Sequence, residues 1–305
     1  MKEFFNSIFT SDFVYSVFRV TTPLLFASMG AVISDVAGVP NIALEGLMLI
    51  AAFAGMYFSF LSQSALIGLL MALAVAVLFT GILAFFTLYY KTNIILGGIA
   101  INSLASGGTV FFLYLTAHDK GTSVALASKT LPVLRIPIIE NIPVLGSILS
   151  GHNILTYLSI FSVVFTYVLL KGTALGYHIR AVGEKKAAAE SVGISVVKTQ
   201  ATALLLSGIM CGFGGAFMSM GYVSWFSRDM VSGRGWIALA AEAMGRQTAI
   251  GSAAASVLFG IADAFSNVAA SMGLPSDLVK TIPYFATLIG LAIFSIKTYK
   301  KYKDV

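Results

Sequence analysis

The chain has 305 residues, of which 58% are hydrophobic and only 10% charged, where an ordinary soluble domain carries about 25% charged residues; its mean hydropathy is +0.91. This excludes a pair of soluble domains and leaves one polytopic membrane bundle, residues 1–305, with no separate soluble unit. The net charge of +6 does not indicate a nucleic-acid partner, because the basic residues gather in short segments between apolar runs, the pattern of membrane-protein loops.

Residues 1–19 lack the basic start, apolar core and small-residue cleavage site of a removable signal peptide. Crossing about 30 Å of hydrocarbon takes about 20 helical residues. Apolar runs of that order occur at 13–36, 40–62, 64–90, 93–117, 152–171, 201–226, 249–270 and 278–297. A further stretch, "GWIALAAEAMG" at 235–245, is too short to span and reads as a half-helix, tolerated only where protein or a water-filled cavity surrounds it. An all-α bundle of about 8–10 transmembrane segments is therefore expected. The lone Cys211 has neither a disulfide partner nor metal-ligand spacing and reads as a small buried hydrophobe.

Orientation follows from the lysines and arginines of the short loops. Segment 172–200, flanked by Lys171, holds Arg180, Lys185, Lys186 and Lys198, and the tail "KTYKKYKDV" holds four more lysines, so both are placed in the cytoplasm of a multi-pass plasma-membrane protein, C-terminus inside. Lys91 then falls inside as well. The proline-studded loop 118–151 and the N-terminus fall outside, Arg19 fitting least well. "NIALEGLM" at 41–48 and "WIALAAEAMG" at 236–245 echo one another and would run in opposite directions, as an inverted-repeat transporter requires.

Charges within spans cost about 2.5–3.5 kcal/mol each on insertion scales, so Asp35, Glu45, Arg234, Glu242 and Asp263, with Asn41, Asn102 and Asn267, must face protein or water. Asn41 and Glu45 share a helical face directly after Pro40, which suits the first turn of a helix. Glu45 either satisfies loose backbone amides or a buried base, or lines a translocation path. Trp236 is either an interfacial anchor or part of that path; Arg234 has Glu45 and Asp263 as candidate partners. The glycine clusters "LGGIAINSLASGG" and "SGIMCGFGGAFMSMG" let helices approach closely. In the first, Asn102, Ser103 and Ser106, followed by Phe111, Phe112 and Tyr114, put polar groups beside flat rings, which suits a nucleobase or sugar and equally suits packing. The candidate path is thus Asn41, Glu45, Asn102, Ser106, Phe112, Trp236 and Glu242.

No phosphate loop, metal-ligand cluster or nucleophile elbow is present, so the chain is not expected to be an enzyme, to hold a cofactor or to hydrolyse ATP. What remains is the hydrophilic segment "GYHIRAVGEKKAAAESVGISVVKTQ". Glu184 to Ser191 have strong helix propensity between Gly183 and Gly193, which predicts a short helix bounded by glycines. Twenty-five residues is long for a plain connection, and an alanine-faced helix suits docking on a soluble partner.

"RAVGEKKAAAESVGI" resembles the coupling segment, R-A-x-G-x-N-x-x-A-A-x-x-x-G-I, of permease subunits in ABC importers for simple sugars, nucleosides and branched-chain amino acids. "GVPNIALEGLMLIAAFAG" resembles an earlier block of that family and "SGRGWIALAAEAMGR…GSAAASVLFGIADA" a later one, with "GRGWIALA" typical of nucleoside-type members and "IPYFATLIGLAIF" similar to the terminal helix. The chain departs from the pattern at Lys185-Lys186, where Asn-Pro is common. The resemblance implies that Arg180, Gly183, Glu184, Ala188, Gly193 and Ile194 engage an ABC ATP-binding subunit, which uses ATP-Mg. It also implies a second permease, identical or homologous, and an extracellular substrate-binding protein, often a lipoprotein, all working in membrane lipid. A purine nucleoside is the expected cargo; ribose, galactose or another simple sugar is the alternative, and an ion-coupled secondary transporter the reading from a different class.

Overall fold

The computed structural model describes residues 10–137, 142 and 145–271, together with positions 281, 285, 288, 290 and 292. Among these residues the protein is all-α apart from a two-residue antiparallel ladder and an isolated bridge between Thr122 and Ser227, and seven helices are long and apolar enough to cross a membrane. They are α1 (Ser11–Val36), α2 (Leu44–Ser62), α3 (Ala65–Ala84, prolonged by a π-turn Phe85–Tyr89), α4 (Ile94–Ala117), α6 (Ile154–Gly172), α9 (Val196–Phe217, prolonged by a π-turn Met218–Tyr222) and α11 (Ala249–Ser271). Shorter elements are β1 (Val133–Leu134), α5 (Leu145–Leu149), β2 (His152–Asn153), α7 (Ala174–Glu184), α8 (Lys186–Ser191) and α10 (Arg234–Met244).

Helix starts follow side-chain capping. Thr10, Ser64, Asn93, Asn153 and Thr173 each accept a hydrogen bond from an amide in the first turn of the helix they precede. Helix α1 is the axis of the bundle: every residue from Val20 to Ser34 is buried, and α6, α9, α10 and α11 pack round it. Small residues allow that closeness. A Cβ on Gly215 of α9 would stand 2.2 Å from the Met48 carbonyl oxygen of α2. Buried hydroxyls link helices or return to their own turns, as in Ser256 donating to Ser28 (2.8 Å) and Ser219 to the Ala52 carbonyl (2.7 Å). In contrast, α3 and α4 leave much of their surface uncovered.

The two ends of the bundle are defined by contacts. At one end Ser59 bonds the Lys129 carbonyl, Leu131 donates to Met220, Ser123 exchanges bonds with Phe226 and Tyr15 donates to Gly151. Most of the 118–153 connection is thereby fastened across the mouth. Arg19 lies over the Tyr222 ring and donates to its carbonyl, so its charge is satisfied inside the bundle. At the other end Gln200 donates to Ala37 (2.9 Å) and Gln247 to Asp35 (2.6 Å). The arm formed by α7 and α8 belongs to this second end.

Several boundaries differ from the sequence expectation. The second span opens at Leu44, so Pro40 lies in the preceding turn and not in the first helical turn. The helix of span 201–226 begins five residues earlier, at Val196, because polar residues of the first turn, Thr199 and Gln200, are buried against the bundle. The single arm helix is two helices: Gly183 lies inside α7, and the break falls at Lys185, with φ −155° and ψ 101°. Residue 185 adopts the extended shape that a following proline would impose, although Lys186 occupies that place. The expected span 278–297 lies almost wholly outside the described residues.

Candidate functional site: a clamped helix junction and an exposed arm

Between Val36 and Leu44 the chain leaves helix within the bundle, where unpaired backbone groups are expensive. Side chains from three other parts of the chain meet that cost. Ser34 Oγ accepts from the Asn41 amide (3.3 Å), Asn41 Oδ1 accepts from Ala43 N (3.1 Å), and Asn41 Nδ2 donates to Ser207 Oγ on α9 (2.9 Å). From α4, Asn102 donates to the Ile42 carbonyl (2.9 Å) and accepts from Gly46 N (2.8 Å), which lies in the first turn of α2. Gly46 admits this close approach because a Cβ there would lie 2.7 Å from Asn102 Oδ1.

The half-helix α10 starts against the same place. Gly233, at φ 82°, precedes it and supplies no side-chain cap. Glu45 of α2 provides the cap from outside, Oε1 accepting from Gly233 N and Oε2 from Gly235 N, both at 2.7 Å. A Cβ on Gly235 would stand 2.5 Å from Glu45 N, so glycine is required for the two helix openings to meet. Arg234 reaches the other way and pairs with Asp263 of α11 at 3.1 Å. Of the two partners considered for Arg234, the ion pair is with Asp263; of the two readings of Glu45, the contacts are those of an acceptor for loose backbone amides.

The candidate path residues do not form one cluster. Asn41, Glu45 and Asn102 surround the unwound start of α2, with Trp236 one residue beyond Gly235 and 46% exposed. Ser106 and Phe112 are exposed further along α4. Phe112 borders a cavity of about 340 Å³ together with Phe53, Tyr57, Phe79 and Thr109; Phe53 and Tyr57 are stacked at 5.9 Å. Glu242 is buried at the far end of α10 near Asp35, and its Oε1 has no hydrogen-bond partner among the described residues. Sequence reasoning missed Ser34, Ser207, Phe53 and Tyr57, whose residue types in an apolar helix carry no signal beyond packing.

In the arm, Gly176, Ile179 and Val182 face the bundle, and Ala189 packs with Val182, Val196 and Ile194. Gly183 abuts the end of α1: a Cβ there would lie 1.9 Å from the Val36 carbonyl oxygen. Gly193, at φ 83°, ends α8, and Ile194 N closes the turn on Ala189 O (3.0 Å). Glu184, Lys185, Lys186, Ala187, Ala188 and Val192 are exposed, Val192 by 74%, as is Arg180, which borders a cavity with Tyr167, Lys171 and Gln247.

A family model described as the permease component of the branched-chain amino acid transport system matches residues 13–296. The chain is 30% identical to the nucleoside ABC transporter permease NupC of Lactococcus lactis, covering 90% of this chain and 89% of that one. It is 32% identical to the guanosine ABC transporter permease NupQ of Bacillus subtilis (89% and 88%), and 26% identical to a Haloferax volcanii protein named as a glucose ABC transporter permease, TsgC13 (95% and 93%). Its fold is similar to a solved inward-facing ABC transporter of metal-chelate type, with a TM-score of 0.52 at 16% identity over 92% of this chain and 85% of that one. A bundle of apolar helices with side-chain-clamped breaks, matched along nearly its whole length, establishes that this chain belongs to the branched-chain amino acid transport system permease family, the membrane-spanning subunits of ABC transporters.

Proposed function

We propose that the chain is a permease subunit of an ATP-driven importer whose cargo is a purine nucleoside. The observation that carries this reading is the 30% and 32% identity, over about nine tenths of both chains, to permeases named for nucleosides and for guanosine. The arm is the proposed contact with a separate ATP-binding subunit: Ala187, Ala188 and Val192 are small or apolar yet exposed, and Arg180, Gly183, Glu184, Gly193 and Ile194 flank or shape that surface. ATP-Mg is used in the partner, and rigid-body motion of the arm passes to the bundle. This orientation puts the arm and the C-terminus in the cytoplasm and the 118–153 connection outside, where a substrate-binding protein, a lipoprotein in many relatives, delivers cargo. A second permease, identical or homologous, completes the path. Among the candidate path residues, Ser106, Phe112 and Trp236 keep exposed side chains and are the ones free to meet a base or sugar. Asn41, Glu45 and Asn102 are engaged with backbone.

The test is reconstitution. Vesicles containing this permease, its partner permease, the ATP-binding subunit and the binding protein take up labelled guanosine only with ATP, and the permease chain alone takes up none. Uptake by the chain alone without nucleotide would identify an ion-coupled transporter instead. Glucose is the second cargo, favoured by the Haloferax relative; unlabelled glucose that suppresses guanosine uptake as well as unlabelled adenosine does would shift the assignment to sugars.

A further inference from the structure

At the arm end of the bundle a cavity of about 410 Å³ opens between α1, α6, α7 and α11, lined by Val36, Tyr167, Lys171, Arg180, Gln247 and Thr248 among others. Two cationic side chains from different helices stand round it. Lys171 Nζ lies 4.9 Å from the Tyr167 ring centroid, and the Arg180 guanidinium 4.8 Å from that of Tyr177. Neither pairs with a carboxylate among the described residues. Gln247 has its amide nitrogen engaged by Asp35 and Thr248 its hydroxyl by Gly245 O, so the two cations remain as donors.

Ile250 lines this cavity and also a second hollow of about 700 Å³, which runs outward between α1, α6 and α11 past Val17, Leu25, Ile160, Val164, Ala253 and Val257. Its wall on α11 extends from Ile250 to Ile261, roughly 16 Å of helix at about 1.5 Å per residue, and its walls on α1 and α6 continue to Phe13 and Thr156 near the mouth, so the hollow runs along much of the bundle. Gly290 lies against Met244 and Phe259; by helical spacing Phe259 is on the opposite face of α11 from Ile250, Ala253 and Val257. A cationic pocket that shares Ile250 with a long apolar groove has the shape and charge of one molecule class.

We propose that Lys171 and Arg180 bind the phosphate of an anionic glycerophospholipid whose acyl chain lies in the groove between α1, α6 and α11. Basic pockets between membrane helices are built for such headgroups, and a single apolar chain in the groove replaces contacts that disordered lipid makes less well. Retention of the lipid is independent of the cargo; only its assignment to the cytoplasmic leaflet rests on the orientation proposed above.

The experiment uses the full chain, delipidated in mild detergent and supplied with equal amounts of phosphatidylglycerol and phosphatidylcholine, with bound lipid counted by native mass spectrometry. The wild type retains one phosphatidylglycerol in preference to phosphatidylcholine. Lys171→Gln weakens that retention by about fivefold, the worth of one interfacial lysine, and Ala253→Trp, which fills the groove and leaves both cations in place, lowers it by at least as much. Both variants elute as the wild type does on size exclusion. Equal retention of the two lipids, or undiminished retention in Lys171→Gln, overturns the proposal. Displacement of the lipid by millimolar glycerol phosphate, with Ala253→Trp without effect, overturns it in favour of a site for a free anion. Because no transport is read, failure here is distinct from failure of the importer assignment.

Discussion

Replacing Glu45 separates its role as a clamp from a role towards cargo. In Glu45→Ala the amides of Gly233 and Gly235 lose acceptors that now stand at 2.7 Å, and α10 offers no side-chain cap in their place. Each buried N–H left without a partner costs about 1–3 kcal/mol, so the pair costs about 2–6 kcal/mol. Taking about 2 °C per kcal/mol for a chain of this size, the melting temperature in detergent falls by roughly 4–12 °C. Glu45→Gln keeps one acceptor oxygen and recovers about half of the loss. The assay is size exclusion after a temperature ramp, with Trp236 emission, in a Trp225→Phe background, reporting the start of α10. A Glu45→Ala protein that melts within about 1 °C of the wild type, with an unshifted Trp236 spectrum and altered guanosine affinity, would refute the clamp and return Glu45 to the path.

The remaining expectations concern the arm, the α10–α11 ion pair and the mouth. Gly183→Val, which drives a side chain into the Val36 carbonyl, leaves membrane insertion intact and abolishes ATP-dependent uptake in the reconstituted complex while the ATPase subunit still hydrolyses ATP; normal uptake would show the arm to be a passive loop. Arg234→Leu alone costs about 3–5 kcal/mol by leaving Asp263 uncompensated, whereas Arg234→Leu with Asp263→Leu is restored to within about 1–2 kcal/mol of the wild type, as a double-mutant cycle of melting temperatures will read. His152 is buried and stacked on Tyr15 at 4.0 Å. Burial pushes its pKa below the usual value, with the charge of Arg19 acting the same way and a bond to the Ile148 carbonyl opposing both. The unfolded chain then binds the proton first, so stability is full above about pH 6.5, declines as pH falls from there through the folded pKa, and levels off below it. His152→Gln flattens that part of the melting-temperature profile.

How much was legible depends on the range of the interaction. Spans were readable because apolar length is a local property, and the short element at 235–245 was recognisable because it was too short. Helix boundaries were less so. Gln200 reads as loop, yet its buried amide bonds the Ala37 carbonyl, 163 positions away, and carries the start of α9 inward. Gly183 reads as a helix breaker because glycine usually is one; here it remains helical and is needed for contact with the end of α1. The polar residues within spans were identifiable as groups that must face protein, since lipid forbids the alternative. Which group each would meet was not, because Glu45 and the amides it caps are 188 and 190 positions apart.

Those long-range partners also connect the arm to the junction. Gly183 bears on Val36, the last residue of α1; Gln200, in the first turns of α9, holds the next carbonyl, that of Ala37; Asn41 ties the following turn to Ser207; and Glu45 passes from the opening of α2 to the opening of α10. The links are a close backbone contact, backbone segments and short hydrogen bonds, and the stretch Ala37–Ala43 that joins them is not helical. A displacement of the arm is therefore delivered to the end of a helix buried from Val20 to Ser34 and to the irregular backbone that follows it. Irregular backbone can change its dihedrals without breaking a helical ladder, so motion is cheapest there. The clamps supplied by Asn41, Asn102 and Glu45 then decide whether that segment bends alone or carries α2 and α10 with it, and two bonds of 2.7 Å from one carboxyl group favour the two helices moving together.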